Sequence, residues 1–256
     1  MTVRVLTLNL WNLNEPLEAR SAALVSGIKQ LKPDIVCFQE VSPHPRLGRV
    51  QSEIIAEQCG FAHHAYSFSG RWGTREEGLA TLSRQPIIRS VGVVLPEFPG
   101  DMPRQVFLSE LNFESRRILV ANTHLAFAVH MTRQRSSQAA IVAAAIKDYC
   151  DEFRTPSVVI CGDFNDAPDS PAIRTILESN PELFDAFASR HPKCRGHTFS
   201  SQNRYVDPAL EEDGRIDYIL AGGELQLNSC DIVFNGRNGL EIVSDHFGLF
   251  CTFELS

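Results

Sequence analysis

Hydrophobic positions along the chain switch repeatedly between a period of two and a period of about 3.6 residues, the signatures of strands and of amphipathic helices. Val3–Leu10 alternates as a strand. A helical pattern then runs from Glu15 to about Leu31, with Asn14 as N-cap, Pro16 in the first turn and Lys32-Pro33-Asp34 as its end. Ile35–Gln39 is a short apolar run closing on Glu40, and Arg49–Cys59 is helical. Strand patterns follow at Leu79–Ser83, Ile87–Leu95, Gln105–Phe113 and Arg117–Thr123. Met131–Tyr149 reads as a long amphipathic helix with Ile141, Val142, Ala145, Ile146 and Tyr149 on one face. Ser157–Cys161 is the next strand, and Pro171–Leu177 a helix capped by Asp169 or Ser170. Strands at Ile216–Leu220, Leu225–Phe234 and Leu249–Phe253 complete the pattern. Strands in both halves with helices between them predict an α/β (α+β) fold, a four-layer α/β/β/α sandwich of two packed mixed sheets. With no linker-like stretch or repeat, residues 1–256 are expected to form one domain.

Composition narrows the function. A chain of 256 residues with 43% hydrophobic content can bury a sizeable core. The net charge of −7 argues against an extended basic nucleic-acid surface, though not against a nucleotide or a short single strand. The seven cysteines are scattered without C-x-x-C spacing and read as reduced core thiols. Thr2–Asn9 alternates like a strand instead of forming an export signal, and no apolar run reaches the ~18 residues of a membrane span. The expectation from these features is a cytoplasmic protein with no transmembrane segment.

Candidate chemistry lies where polar residues close apolar strands, because the strand fixes a side chain that projects into a cleft. Six segments have this character: Thr7–Asn12, Phe38–Val41, Asn122–Leu125, Gly162–Asn165, Arg215–Tyr218 and Ser244–Phe247. They contribute three Asp, one Glu, two His and several Asn, with no paired thiolates. Such hard donors suit Mg²⁺, with Mn²⁺ as the alternative, better than zinc. Cleavage of a phosphate ester needs this inventory: a cation for the phosphoryl oxygens, a base for water and donors for the oxyanion. Taken singly, Asn9, Asn165 and Asp217 also suit ordinary turn or cap positions; their joint pattern is what points to a site.

In order and in spacing, the six segments resemble the motifs of the endonuclease/exonuclease/phosphatase superfamily typified by deoxyribonuclease I. That resemblance implies that Glu40 is the principal metal ligand, with Asn9 beside it on metal or phosphate and Asp245 as a further metal contact. It implies that Asp163 and Asn165 orient the attacking water and hold a phosphoryl oxygen. By the same resemblance, His246 is the catalytic histidine with Asp217 behind it, and His124 contacts the phosphate or protonates the leaving group, with Glu77 as its orienting carboxylate. Many nucleases of the family carry a second carboxylate two positions after the first asparagine, where this chain has Trp11; that substitution shifts metal binding towards Glu40 and Asp245. Trp11 itself is either core or a stacking wall for substrate. Arg133 and Arg135 are either phosphate contacts or the solvated start of a helix, with the latter favoured. His44, His63, His64, His130, His191 and His197 read as surface or packing residues.

The substrate class rests on loops. His197–Pro208, with Asn203-Arg204-Tyr205-Val206 ahead of Arg215-Ile216-Asp217-Tyr218, resembles the neutral sphingomyelinase branch, as does Asn9-Leu10-Trp11. Glu77 departs from that branch. The expected function is a Mg²⁺-dependent phosphodiesterase acting on a lipid or other small phosphodiester such as sphingomyelin. The first alternative is a nuclease or deadenylase, and the second a catalytically silent protein-binding member.

Overall fold

A computed structural model of the chain describes residues 1–114, 116–207, 209 and 213–256. The first sheet is built from β1 (Thr2–Asn9), β2 (Ile35–Val41), β3 (His63–Trp72), β4 (Arg75–Ser83), β11 (Leu225–Val233) and β12 (Gly248–Leu255), in the order β11-β12-β1-β2-β4-β3. The second comprises β5 (Ile87–Val94), β6 (Gln105–Phe113), β7 (Arg116–His124), β8 (Ser157–Asp163), β9 (Phe184–Asp185) and β10 (Asp217–Gly222), in the order β5-β6-β7-β8-β10-β9. Each sheet has one parallel pair near its centre, β1 with β2 and β7 with β8. A parallel pair needs a crossover, which α1 (Leu17–Leu31) and α3 (Thr132–Phe153) supply.

Three apolar clusters define the layers. Val3, Val5, Cys37, Val120, Cys161 and Phe253 lie between the sheets, where the strands bury both faces. Outside the first sheet, Leu24 and Ile28 of α1 and Ile55 of α2 (Gln51–Cys59) pack on Leu8, Phe38 and Leu82. Outside the second, Val142 and Ile146 of α3 and Ile173 of α4 (Pro171–Ser179) pack on Leu119 and Ile160. The result is the expected four-layer α/β/β/α sandwich.

Local details depart from the sequence pattern. The expected N-cap of α1, Asn14, does not cap it: Pro16 occupies that position, with no side-chain cap. On α4 the cap is Ser170, whose Oγ accepts from the Ile173 amide at 3.3 Å. Ile141, expected on the buried face of α3, is 38% exposed, and the buried face instead includes Arg135, Gln138 and Ala139. Strand β3 and the short helix α5 (Ala186–Arg190) have no counterpart in the sequence reading.

Candidate active site

Both parallel pairs deliver polar side chains to the same edge of the sandwich. Asn9 ends β1, Glu40 stands near the end of β2, His124 ends β7 and Asp163 ends β8. Asp163 is in register with His124 on one side and with Asp217, the first residue of β10, on the other. His246 lies just before β12, and Glu77 sits near the start of β4. The backbone bends sharply here: Trp11, Asn12, Glu40 and Asn165 all have φ between 50 and 54°. Left-handed residues other than glycine cost about 1–3 kcal/mol each and persist only where their surroundings fix them. Gly162 has φ +133°, and a Cβ there would lie 1.9 Å from the Thr123 carbonyl oxygen, so close passage of β8 by β7 requires glycine.

A buried amide links the two halves of the cluster. Asn9 Nδ2 donates to Glu40 Oε1 and to Asp163 Oδ2, both at 3.0 Å, while Asn9 Oδ1 accepts from the Trp11 amide at 2.8 Å. Asp163 Oδ1 accepts from the Asn165 amide at 2.9 Å, and Asn165 Nδ2 donates to the Leu125 carbonyl at 3.2 Å. Asp163 Oδ2 also lies 3.4 Å from His124 Nε2 and 3.6 Å from His246 Nε2. His246 Nδ1 is paired with Asp217 Oδ2 at 2.9 Å. Thr198 Oγ1 accepts from the amides of Ile216 and Asp217, both at 3.1 Å, which fixes the orienting carboxylate.

Electrostatics divides these groups. Burial, with help from Glu77 and Asp245, pushes the Glu40 carboxyl up to about 8 against the pull of the Asn9 amide and His246. Glu77 is raised by burial, against its hydrogen bond from Asn12 Nδ2 at 2.9 Å. Burial raises Asp245 as well, opposed by His246 and by the Ser244 hydroxyl at 3.1 Å. Asp163 is pushed up to about 6, again chiefly by burial, with His246 opposing. The two histidines diverge. His124 is held well below its ordinary value by burial and by the charges of Arg104 and His246. At His246 burial also opposes the charge, but Asp217, Asp163 and Asp245 outweigh it and raise the ring well above its ordinary value.

Glu40, Glu77 and His124 offer ligand atoms within 4.8 Å of one another, as do Asp163, Asp217 and His246. A hard divalent cation fits the first group, because carboxylates whose charge is disfavoured chiefly by burial are what a cation relieves. Of the residues expected to act, Asn9, Glu40, Glu77, His124, Asp163, Asp217 and His246 converge directly. Asp245 stands beside them without joining either triad. Glu77 accepts its hydrogen bond from Asn12 and makes none with His124 among the described residues. Trp11 is half-buried against Tyr205 (5.1 Å between centroids) and under the Arg20 guanidinium (4.9 Å).

Arg20 was passed over in the sequence reading, and the roles of Arg135 and Asn203 were missed. Arg20, 4% exposed, donates to the carbonyls of Leu10, Asn12, Asn14 and Val243 at 2.7–3.3 Å, clamping the loop after Asn9 to the segment before Asp245 and His246. An arginine within the apolar series Leu17, Arg20, Leu24, Ile28 was the signal available for it. Arg135 is neither a phosphate contact nor solvated: it is buried, bonded to Asp166 at 3.1 Å and to the carbonyls of Ala126, Ala128 and Val129. Asn203 Nδ2 donates to the carbonyls of Ser244 and Asp245 at 2.8 and 2.9 Å, so the Asn203–Val206 stretch braces the loop of Asp245 and His246; Pro208, at the end of His197–Pro208, lies outside the described residues. Arg20→Met should strip four carbonyls of their donor, costing about 3 kcal/mol and lowering Tm by roughly 6–12 °C. In thermal denaturation and steady-state assays, Arg20→Lys should recover part of both stability and kcat.

The sequence model of the Endonuclease/Exonuclease/phosphatase family matches residues 6–246. The chain belongs to this family. Its members are hydrolases of phosphoester bonds. A curated relative, nocturnin of Drosophila melanogaster, is 25% identical over 281 aligned positions; the match covers 93% of this chain, which spans only 42% of that protein's length. Among solved structures, TDP2 from Caenorhabditis elegans superposes with a TM-score of 0.80 at 19% identity, covering 99% of this chain and 74% of that one. Danio rerio TDP2 complexed with a single-strand DNA product superposes with a TM-score of 0.79 at 18% identity, covering 99% of each chain. These structural likenesses speak for the fold of an endonuclease/exonuclease/phosphatase domain.

Proposed function

We propose that this chain is a single catalytic domain that hydrolyses phosphodiesters with a divalent cation, Mg²⁺ or Mn²⁺, and that its substrate is a nucleotide-like or short single-stranded nucleic acid. The observation that carries the reading is the Asn9 amide spanning Glu40 and Asp163, which joins a crowded carboxylate group to the Asp163–His246–Asp217 array. Glu40 would hold the cation, with Asn9 and Asp245 as further contacts. When bound, the cation neutralises phosphoryl oxygens and acidifies water. Asp163, raised towards neutrality, would take the proton of the attacking water. His246, kept charged by three carboxylates, would stabilise the oxyanion, and Asn165 would hold a phosphoryl oxygen. His124, kept neutral, would serve the leaving group.

The lipid reading loses its sequence support, because Asn203 and Tyr205 are occupied as braces, and the relatives named above do not favour sphingomyelin. The intact cluster favours an enzyme over a silent binding module. Free cysteines accord with a reducing compartment, and no helix among the described residues is long and apolar enough to cross a membrane. A substrate panel tests the reading: with Mg²⁺, single-stranded oligonucleotide should be cleaved faster than abasic duplex or sphingomyelin micelles. Preferential cleavage of sphingomyelin would overturn it.

A further inference from the structure

Trp72 and Phe127 form an exposed aromatic pair beside the cluster. Their centroids are 5.4 Å apart in an edge-to-face arrangement, and the two side chains are 47% and 46% exposed. Each comes from an element that also carries a residue of the cluster. Trp72 ends β3 opposite Arg75, two positions along from Gly70, which faces Glu77; two strand residues span about 6.8 Å. Phe127 follows His124 by three residues. The pair is therefore tied to the cluster through both elements, two strand positions from the residue facing Glu77 and three chain positions from His124. Two adjoining exposed aromatic rings beside a polar cleft offer apolar surface that a ligand can cover.

The surrounding charge indicates which ligand. Exposed Arg71 and Arg75 flank Trp72, and exposed Arg133 lies in the first turn of α3, six residues beyond Phe127. Arg71 pairs with Glu76, whereas Arg75 meets a neutral partner, Asn14 Oδ1, at 3.2 Å. A cavity of about 390 Å³ on the same hairpin, lined in part by Phe68, Arg71 and Val94, shares Ser69 and Arg104 with the pocket formed by Glu40, Glu77 and His124. Aromatic faces interleaved with arginines are the recognition chemistry of unpaired bases on a phosphate backbone. We infer that Trp72 and Phe127 are a stacking platform for an unpaired nucleobase next to the scissile phosphodiester, so that nucleic acid is taken as a single strand.

This inference rests on the nucleic-acid reading of the site, and its test separates the two. Wild type, Trp72→Ala, Phe127→Ala and Trp72→Phe are assayed on a single-stranded oligonucleotide and on bis(p-nitrophenyl) phosphate, which has no base. Each alanine variant should raise KM on the oligonucleotide by about 5- to 100-fold, with the small diester unaffected and Trp72→Phe close to wild type. An oligonucleotide with abasic sites should bring the wild type down to the level of Trp72→Ala. Equal KM values for wild type and both alanine variants would overturn the platform while leaving the nuclease reading standing. A wild type that hydrolyses the small diester but no oligonucleotide would overturn both. Loss of binding to sphingomyelin vesicles in Trp72→Ala, with oligonucleotide kinetics unchanged, would reassign the pair to a lipid surface.

Discussion

His246→Ala is expected to lower kcat on a phosphodiester by about 10³-fold or more, the scale of a lost acid–base or oxyanion group. The ring is 5% exposed, held at Nδ1 by Asp217 and directed at Asp163 through Nε2. Alanine removes a charge that three carboxylates are arranged around. Asp217→Asn should cost about 10²–10⁴-fold, because an amide can force the wrong tautomer and no longer supports the His246 imidazolium. KM should change far less in both variants, since neither residue anchors remote parts of a substrate. Steady-state kinetics on bis(p-nitrophenyl) phosphate checks both, with circular dichroism confirming that the fold is retained.

Glu40→Gln should abolish cation-dependent turnover, and it also has a readout in stability. A carboxyl raised from about 4.5 to about 8 binds a proton in the folded chain while the unfolded chain is already ionised. Its contribution to the metal-free protein is therefore fully present below pH ~4.5 and lost as pH rises through ~8. Glu40→Gln should flatten that decline. A divalent cation at 100 times its Kd adds about 2.7 kcal/mol, or roughly 5–10 °C in Tm. That rise should appear in wild type at pH 8 and shrink in Glu40→Gln, as measured by thermal denaturation with and without Mg²⁺.

Buried strands were legible in the sequence because their apolar residues alternate or run together between turn and charged residues. Gln105–Phe113 matches its expected bounds residue for residue, and the two parallel pairs follow from Val3–Leu10, Ile35–Gln39, Arg117–Thr123 and Ser157–Cys161. Strand β3, His-His-Ala-Tyr-Ser-Phe-Ser-Gly-Arg-Trp, was not legible. It lies at a sheet edge, is half-exposed along most of its length and carries a register shift between Phe68 and Gly70, so neither an apolar run nor clean alternation survives. Its absence from the sequence reading also hid the Trp72–Phe127 pair.

The cluster was legible because its residues stand at or beside the ends of recognisable strands: Asn9, Glu40, His124 and Asp163 where strands finish, Asp217 where one starts and His246 just before one. What holds it was not. Arg20, Arg135 and Asn203 act on backbone carbonyls, one of them Val243, 223 residues from Arg20, and a carbonyl leaves no trace in composition. The Asn203–Val206 stretch shows the consequence: a motif read as a sign of substrate proved to be occupied in shaping the loop of Asp245 and His246. The partner of Glu77 was hidden for a similar reason. Asn12 comes within reach only because the chain turns through left-handed φ at Trp11 and Asn12.

A cation held at Glu40 and the Asp163–His246–Asp217 array should together break a phosphodiester. The most direct measurement is the initial rate of bis(p-nitrophenyl) phosphate hydrolysis by chelator-treated wild type as Mg²⁺ is titrated back. The expected result is no turnover in chelator, saturable recovery with Mg²⁺, and no recovery in Glu40→Gln. Turnover that persists in chelator, or that Mg²⁺ restores equally in Glu40→Gln, would contradict it.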